Sequence, residues 1–196
     1  MQPDIQSAKD ALRKHIQDAL EIISPAVRAV ESIELCERLK PQLRSARTIL
    51  FFAPLPGEMD LWPLLEESVS AGKMVALPWF DPATQTYLAR RVENPACEIV
   101  AGKFGVREPA PGCVEIPLQK IDLVLVPGVA FDLSGNRLGR GKGFYDRLLA
   151  KISGVKCGVG YDFQLLEKIP AEPHDAKVNF ILTPTRCVKI AGVTAA

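Results

Sequence analysis

The sequence has little histidine, no paired cysteines and almost no net charge, and each shortage argues against a class of function. Among its 196 residues only His15 and His174 are histidines, too few for a histidine-rich metal site, so oxygen ligands must bind any divalent cation. The five cysteines are scattered without a Cys-x-x-Cys pair. This pattern is typical of buried free thiols in a reducing compartment and predicts a cytoplasmic protein.

Long hydrophobic runs and an excess of one charge are also missing. No apolar run approaches the roughly 20 residues that a membrane helix needs, and the first residues lack the apolar core of a secretory signal. A net charge of +1 gives no overall field that would attract a nucleic acid. We therefore expect a soluble protein, a monomer, with small molecules rather than membranes or nucleic acids as partners.

Strand and helix patterns alternate along the chain, and 47% of its residues are hydrophobic, enough for one packed core. This alternation predicts a single α/β domain over residues 1–196, with an open, mostly parallel sheet, helices on both faces and a few extra short strands. The arrangement is Rossmann-like. The main buried strands are predicted at 48–52, 74–77, 123–126 and 155–161.

The helices are predicted from apolar periodicity and from proline and glycine positions. An amphipathic helix is expected from Asp4 to about Val30, interrupted or bent near Ser24-Pro25, followed by a helical stretch from about Ser32 to Leu39 that stops at Pro41. Further along, Asp162 is expected to cap a short helix that ends near Lys168.

The stretch from Ile121 to Leu149 carries the strongest functional signal, because it has the pattern of a strand, a loop and a helix. Its loop holds four glycines and three cations: Gly135, Gly139, Gly141, Gly143, Arg137, Arg140 and Lys142. Glycines let backbone amides approach a ligand, and a helix start favours anions, so the loop suits phosphate. Neither the P-loop nor the dinucleotide fingerprint fits, and a flexible, solvated basic loop is the alternative.

This stretch resembles the signature of the 5-formyltetrahydrofolate cyclo-ligase family. The resemblance rests on Gly128–Asp132 and Gly135–Asp146, with weaker similarity at Lys9, Arg13, Glu58, Gly105-Val106-x-Glu108-Pro109 and Pro173-His174-Asp175-x-Lys177-Val178. It implies an enzyme that uses ATP to convert 5-formyltetrahydrofolate into 5,10-methenyltetrahydrofolate through a phosphorylated formyl group, with release of ADP and phosphate.

The resemblance also implies which residues form the site. Residues implied to bind ATP are Lys9, Arg13, Arg137, Leu138, Gly139, Arg140, Gly141, Lys142, Gly143, Phe144 and Tyr145. Residues implied to bind the folate are Ala53, Glu58, Phe104, Arg140, Gly141, Lys142, Gly143 and Phe144. The catalytic group would be Arg140, Lys142 and Tyr145. From the helical pattern alone, Lys9 lies within the apolar arc and Arg13 at its border, and the alternative for both is that they extend to water.

A magnesium ion is implied as cofactor, with Asp146 and Asn179 as its ligands. An Asp in the first turn of a helix also offsets the helix dipole, so Asp146 has a structural alternative. Where the family often has a second aspartate, this chain has Asn179, whose amide oxygen lacks the charge.

Two other functions are compatible with the sequence. The chain could be another enzyme or a carrier that uses the loop for a sugar phosphate or a nucleotide. It could also be a non-catalytic folate- or nucleotide-binding regulator that has lost turnover through the change at Asn179.

Overall fold

An eight-stranded sheet organises the protein, whose computed structural model describes residues 4–102, 105–172 and 175–191. The five central strands are parallel, and the strands at both edges run antiparallel. In sheet order they are β13 (Cys187–Lys189), β12 (Phe180–Leu182), β10 (Val155–Val159), β7 (Leu123–Pro127), β1 (Thr48–Leu50), β2 (Met74–Asp81), β3 (Thr86–Val92) and β6 (Glu115–Ile116). The predicted mostly parallel sheet is confirmed.

Helices pack on both faces of this sheet. The described helices are α1 (Ile5–Ile22), α2 (Pro25–Ser45), α3 (Trp62–Ser70), α4 (Pro95–Glu98) and α5 (Phe144–Leu149). Alternate residues of β7 point to opposite faces, as the pleat of a strand requires. Leu123 and Leu125 belong to the core cluster shared with α2 and α3, whereas Val124 and Val126 belong to the cluster shared with α5.

Two smaller sheets complete the described fold. One combines β11 (Leu165–Leu166), β8 (Ala130–Asp132) and β9 (Arg137–Leu138), and the other is the hairpin of β4 (Ile99–Ala101) and β5 (Arg107–Pro109). Helix α1 packs on the first of these, because Ile16 shares a buried cluster with Ala130, Leu138 and Ile169. This packing brings the first helix next to the loop that follows β9.

The helices near the amino terminus agree with the prediction in one respect and differ in another. The expected interruption near Ser24-Pro25 is present, since α1 ends at Ile22 and α2 begins at Pro25, with the Ser24 hydroxyl accepting a hydrogen bond from the Val27 amide at 3.3 Å. Proline suits the first position of a helix, where its missing N–H is not needed. Helix α2 also continues through Pro41, and Leu39 and Leu43 on either side of it remain buried in the core.

The helix predicted after Asp162 is wrong. Residues Asp162–Gln164 form a single 3-10 turn that begins after Tyr161, and β11 follows at once. The Asp162 carboxylate does not cap backbone amides, because its Oδ1 accepts from the hydroxyls of Thr183 at 2.5 Å and Thr185 at 2.8 Å.

A buried carboxylate, Asp132, fixes the turn between β8 and β9. Its Oδ1 accepts from the backbone N–H groups of Ser134 at 2.9 Å and Asn136 at 3.0 Å. Its Oδ2 accepts from the Asn136 side chain at 2.8 Å and from the Ile169 amide at 3.2 Å. Asp132 is completely buried, so water cannot take its place as the acceptor for these four donors.

We expect Asp132→Ala to lower the free energy of unfolding by about 3 to 5 kcal/mol, because it leaves several buried donors without an acceptor. Chemical denaturation of both proteins measures this difference. The matched control is Asp18→Ala, at an exposed position of α1, which should change stability by less than about 0.5 kcal/mol. Equal stability of the two variants would show that the Asp132 hydrogen bonds are not needed for the turn.

Candidate active site

A cavity of about 450 Å³ opens at the carboxyl ends of the central strands. Phe52 and Ala53, which follow β1, line it together with Pro127 and Gly128 at the end of β7. The remaining wall comes largely from residues 139–146 of the glycine-rich loop and the start of α5. Open α/β sheets place ligand sites at this edge, and the predicted position of the site agrees with the cavity.

The glycine-rich loop also borders a second cavity of about 160 Å³. Gly139, Gly141 and Gly143 line both cavities, whereas Lys9 and Arg13 of α1 line only the smaller one. Gly141 has a φ of +89°, a left-handed conformation that glycine adopts without strain. Residues that lie more than 120 positions apart in the chain therefore meet around one loop, as the resemblance implies.

Arg13 joins α1 directly to this loop. Its Nε donates to the carbonyl of Gly139 at 2.9 Å, and its Nη1 contacts Asp10 Oδ1 at 2.5 Å. A β-carbon on Gly141 would lie 3.4 Å from the guanidinium carbon of Arg13, so the loop passes close against the side chain. Arg13 thus holds the loop and still lines the smaller cavity.

Lys9 is buried and has two carboxylate partners within the chain. Its Nζ lies 2.8 Å from Glu172 Oε2 and 2.8 Å from Asp175 Oδ2. Burial alone would lower the pKa of Lys9, but its hydrogen bonds to Asp175 and Glu172 outweigh burial and raise that pKa. The prediction that Lys9 lies on the packed side of α1 is confirmed, and the alternative that it extends to water is wrong for this structure.

Arg137 and Asp146 form an ion pair at the junction of the two cavities, both of which they line. Arg137 Nη2 lies 2.7 Å from Asp146 Oδ1, and Nη1 donates to the Pro127 carbonyl at 3.2 Å. The side chain of Arg137 is 3% exposed and that of Asp146 is 26% exposed. The carboxylate is therefore the accessible half of the pair.

Glu58 and Arg140 form a second pair at the mouth of the larger cavity. Glu58 Oε1 lies 2.8 Å from Arg140 Nη2, while Oε2 accepts from the Leu55 amide at 3.0 Å. Arg140 is 59% exposed, whereas Glu58 is 18% exposed. Lys142 and Ala53 line the same cavity. The backbone holds Glu58 in place, and the arginine is the partner that can move.

Tyr87, Phe144 and Tyr145 form an aromatic wall of the larger cavity, and Phe80 packs against two of these rings. The rings of Phe80, Tyr87 and Phe144 lie edge to face, with pairwise centroid distances of 5.6 to 5.7 Å, and Tyr145 lies 6.3 Å from Tyr87. Burial raises the pKa of the Tyr145 hydroxyl, and the nearby Glu58 carboxylate adds to this effect. Tyr145 therefore stays protonated at neutral pH.

The structure separates Asn179 from the other predicted site residues. Asn179 precedes β12 and is level with Lys156 near the start of β10, about 10 Å along the strand from Val159, which pairs with Pro127 at the edge of the larger cavity. Its Oδ1 accepts from the Lys156 amide at 2.8 Å. The expectation that Asn179 shares a metal with Asp146 finds no support in this arrangement.

Three predicted positions lie outside the described residues. These are Phe104, implied to contact the folate, and Pro173 and His174 of the carboxyl-terminal motif. Leu138 is described and lines the smaller cavity, but its side chain is buried in the cluster beneath α1.

The described ranges contain no group of three or more His, Cys, Asp or Glu side chains that could hold a metal ion by themselves. The same ranges contain no helix long and apolar enough to cross a membrane. A metal ion at Asp146 would therefore need additional ligands from a bound molecule or from water.

Known proteins of one family match most of this chain. The sequence model of the 5-formyltetrahydrofolate cyclo-ligase family matches residues 5–184. The 5-formyltetrahydrofolate cyclo-ligase of Mycolicibacterium smegmatis is 36% identical over 91% of this chain and 95% of its own length. The corresponding Escherichia coli K12 protein is 36% identical over 74% of this chain and 82% of its own length.

A solved structure has the same fold. The 5,10-methenyltetrahydrofolate synthetase of Aquifex aeolicus superposes with a TM-score of 0.85 at 34% identity, and the match covers 96% of this chain and 95% of that one. Together with the convergence of α1 and the glycine-rich loop, these matches show that the chain belongs to the 5-formyltetrahydrofolate cyclo-ligase family.

Proposed function

We propose that this protein catalyses the ATP-dependent cyclisation of 5-formyltetrahydrofolate to 5,10-methenyltetrahydrofolate, with ADP and phosphate as the other products. The observation that carries the proposal is the glycine-rich loop between two cavities, with cations from α1 on one side and Glu58 with an aromatic wall on the other. The five cysteines are all free thiols, which suits a cytoplasmic enzyme.

The smaller cavity is the proposed site of the ATP phosphates. Backbone amides of the loop glycines and the guanidinium of Arg13 supply donors there, and anions favour such a constellation. Lys9 lies in the same cavity with Glu172 and Asp175 as its counterions. A bound phosphate therefore shares the charge of Lys9 with these carboxylates.

The larger cavity is the proposed folate site. Glu58 would accept two N–H donors from the amino-bearing edge of the pteridine, for which a carboxylate is well suited. In the present structure Arg140 bonds to one of its oxygens. Folate binding would replace Arg140 at Glu58 and allow this exposed arginine to turn towards the phosphates.

The reaction needs positioned charges and no protein nucleophile. The formyl oxygen attacks the γ-phosphorus and the bond to ADP breaks; N10 then attacks the activated formyl carbon, loses its proton, and phosphate leaves. Lys142 and Arg140, which line the larger cavity next to the loop, would offset the charge that develops on the transferred phosphoryl group. The protonated Tyr145 can donate a hydrogen bond at the junction of nucleotide and folate.

Asp146 is the proposed protein ligand of magnesium, which when bound would neutralise part of the charge of the phosphates. It is partly exposed and lines both cavities, and magnesium commonly takes one or two carboxylates together with phosphates and water. Arg137 orients this carboxylate through Oδ1.

The direct test mixes the purified protein with 5-formyltetrahydrofolate, ATP and Mg²⁺ and follows both products. We expect the absorbance of the methenyl product to rise together with an equal amount of ADP. Methenyl product without ADP would contradict the proposed mechanism. Tight binding of both ligands without turnover would instead identify a regulator.

Replacing Lys142 should impair ATP use without unfolding the protein. Because Lys142 is an exposed loop residue, Lys142→Ala should lower kcat/KM for ATP by about 10- to 100-fold and change stability by less than about 0.5 kcal/mol. Steady-state kinetics and chemical denaturation measure the two effects. Lys151→Ala, at an exposed residue beyond α5, is the matched control. A similar loss of stability and activity in Lys142→Ala would indicate a structural role.

Magnesium titrations should distinguish Asp146 from Asn179. We expect Asp146→Asn to raise the Mg²⁺ concentration for half-maximal activity by about tenfold, because a neutral amide is a weaker ligand. Asn179→Asp should leave that concentration within about twofold, because an aspartate oxygen can still accept from the Lys156 amide. A clear drop in the Mg²⁺ requirement of Asn179→Asp would place this residue near the metal after all.

A further inference from the structure

A second buried carboxylate, Glu108, lines the larger cavity and has no role in the reaction described above. Glu108 lies on β5 and is 5% exposed. Its Oε1 is buried and has no hydrogen-bond partner among the described residues. A buried acceptor without a partner reduces stability, so such an atom at a ligand cavity suggests that a ligand supplies the missing donor.

The position of this carboxyl group is fixed by the surrounding backbone. A hydrogen bond from the Phe80 amide reaches the carboxylate. Gly102, after the paired strand β4, leaves the space that the side chain occupies, because a β-carbon there would lie 2.4 Å from Glu108 Cδ. The unpartnered oxygen is therefore held in place beside the cavity rather than free to reach water.

The pKa shifts of Glu108 and Tyr87 agree with a water-poor environment for Glu108 beside the cavity. Burial raises the pKa of Glu108, and the Phe80 hydrogen bond only partly opposes this effect. Burial also raises the pKa of Tyr87, with an additional contribution from the nearby Glu108 carboxylate. Tyr87 belongs to the aromatic wall of the same cavity, so Glu108 lies next to that wall.

Glu58 and Glu108, two of the three carboxylates that line the larger cavity, lie near different tyrosines of the aromatic wall. The charge of Glu58 contributes to the raised pKa of Tyr145, and the charge of Glu108 contributes to the raised pKa of Tyr87. The centroids of the two tyrosine rings are 6.3 Å apart. A flat bicyclic ligand whose amino-bearing edge is bound by Glu58 would therefore present another of its polar groups to Glu108.

We propose that Glu108 binds the folate by accepting a hydrogen bond at Oε1 from a secondary amine of the substrate, either N8–H of the reduced pteridine or N10–H of the linker. The assignment rests on the proposed function. It makes Glu108 a substrate-binding residue that recognises the reduced state of the ring or the free linker amine, whereas Glu58 recognises the amino-bearing edge.

The test compares Glu108→Gln and Glu108→Leu with the wild-type protein. Leucine has no acceptor, so we expect Glu108→Leu to raise KM for 5-formyltetrahydrofolate by about tenfold or more, and Glu108→Gln to have a smaller effect. KM for ATP should stay within about twofold in both variants, because Glu108 does not line the smaller cavity, which is the proposed site of the ATP phosphates. Glu115→Gln, at an exposed residue of β6, is the matched control.

Thermal unfolding without ligand supplies a readout that a structural role would not give. Because the carboxylate oxygen lacks a partner in the described structure, the melting temperature of Glu108→Gln should equal or exceed that of the wild type. A lower melting temperature in both variants, with an unchanged KM for the folate, would overturn the proposal.

Binding of the product distinguishes the two donors, since 5,10-methenyltetrahydrofolate retains N8–H and has no N10–H. Calorimetry on Glu108→Leu should show weaker binding of substrate and product if N8–H is the donor, and of substrate alone if N10–H is the donor. Unchanged binding of both, with an active wild-type enzyme, would overturn this proposal only. A wild-type protein that does not bind 5-formyltetrahydrofolate would overturn the proposed function as well.

Discussion

The hydrogen bond from Arg13 Nε to the Gly139 carbonyl is the contact on which the arrangement of the site depends, because it joins the first helix to the glycine-rich loop. The register of α1 makes this contact possible. Ile16 anchors the helix on the β8–β9 hairpin, and one turn earlier Arg13 reaches the loop that leaves this hairpin. Asp132 fixes the start of the hairpin turn. Without this connection the loop would have no fixed contact with α1 on the side of the smaller cavity.

The charges around the loop are balanced within the chain. Each of four cations contacts carboxylates: Lys9 with Glu172 and Asp175, Arg13 with Asp10, Arg137 with Asp146, and Arg140 with Glu58. With Lys142 there are five cations, and with Glu108 of the larger cavity there are six carboxylates by formal charge. A triphosphate bound at the proposed site would therefore meet hydrogen-bond donors but no excess of positive charge. This balance gives a physical reason why ATP should bind together with a divalent cation rather than alone.

Local patterns predict the parts of this fold that local physics controls. The apolar run of β7, the glycine-rich loop and the start of α5 were all predictable, because strand burial, glycine and helix starts leave signals within a few residues. The partners of Lys9 could not be predicted in this way, since Glu172 and Asp175 lie more than 160 residues away along the chain. Asn179 shows the same limit, because only the register of β10 and β12 places it away from the site. A resemblance identifies a position but does not supply its contacts in this chain.

The residues missed by the sequence pattern share a physical cause. Phe80 and Tyr87 face each other across the antiparallel pair β2–β3, and Glu108 reaches the same wall because the β4–β5 hairpin packs beside β2. Tertiary packing is what makes Tyr87 and Glu108 part of the cavity lining, whereas Phe80 packs against Tyr87 without lining the cavity. Two of the described buried atoms without a hydrogen-bond partner, Arg137 Nε and Glu108 Oε1, belong to residues that line this cavity. A ligand donor gains most at such an unpaired buried group, because groups already hydrogen-bonded within the protein, such as Glu58, must exchange one partner for another.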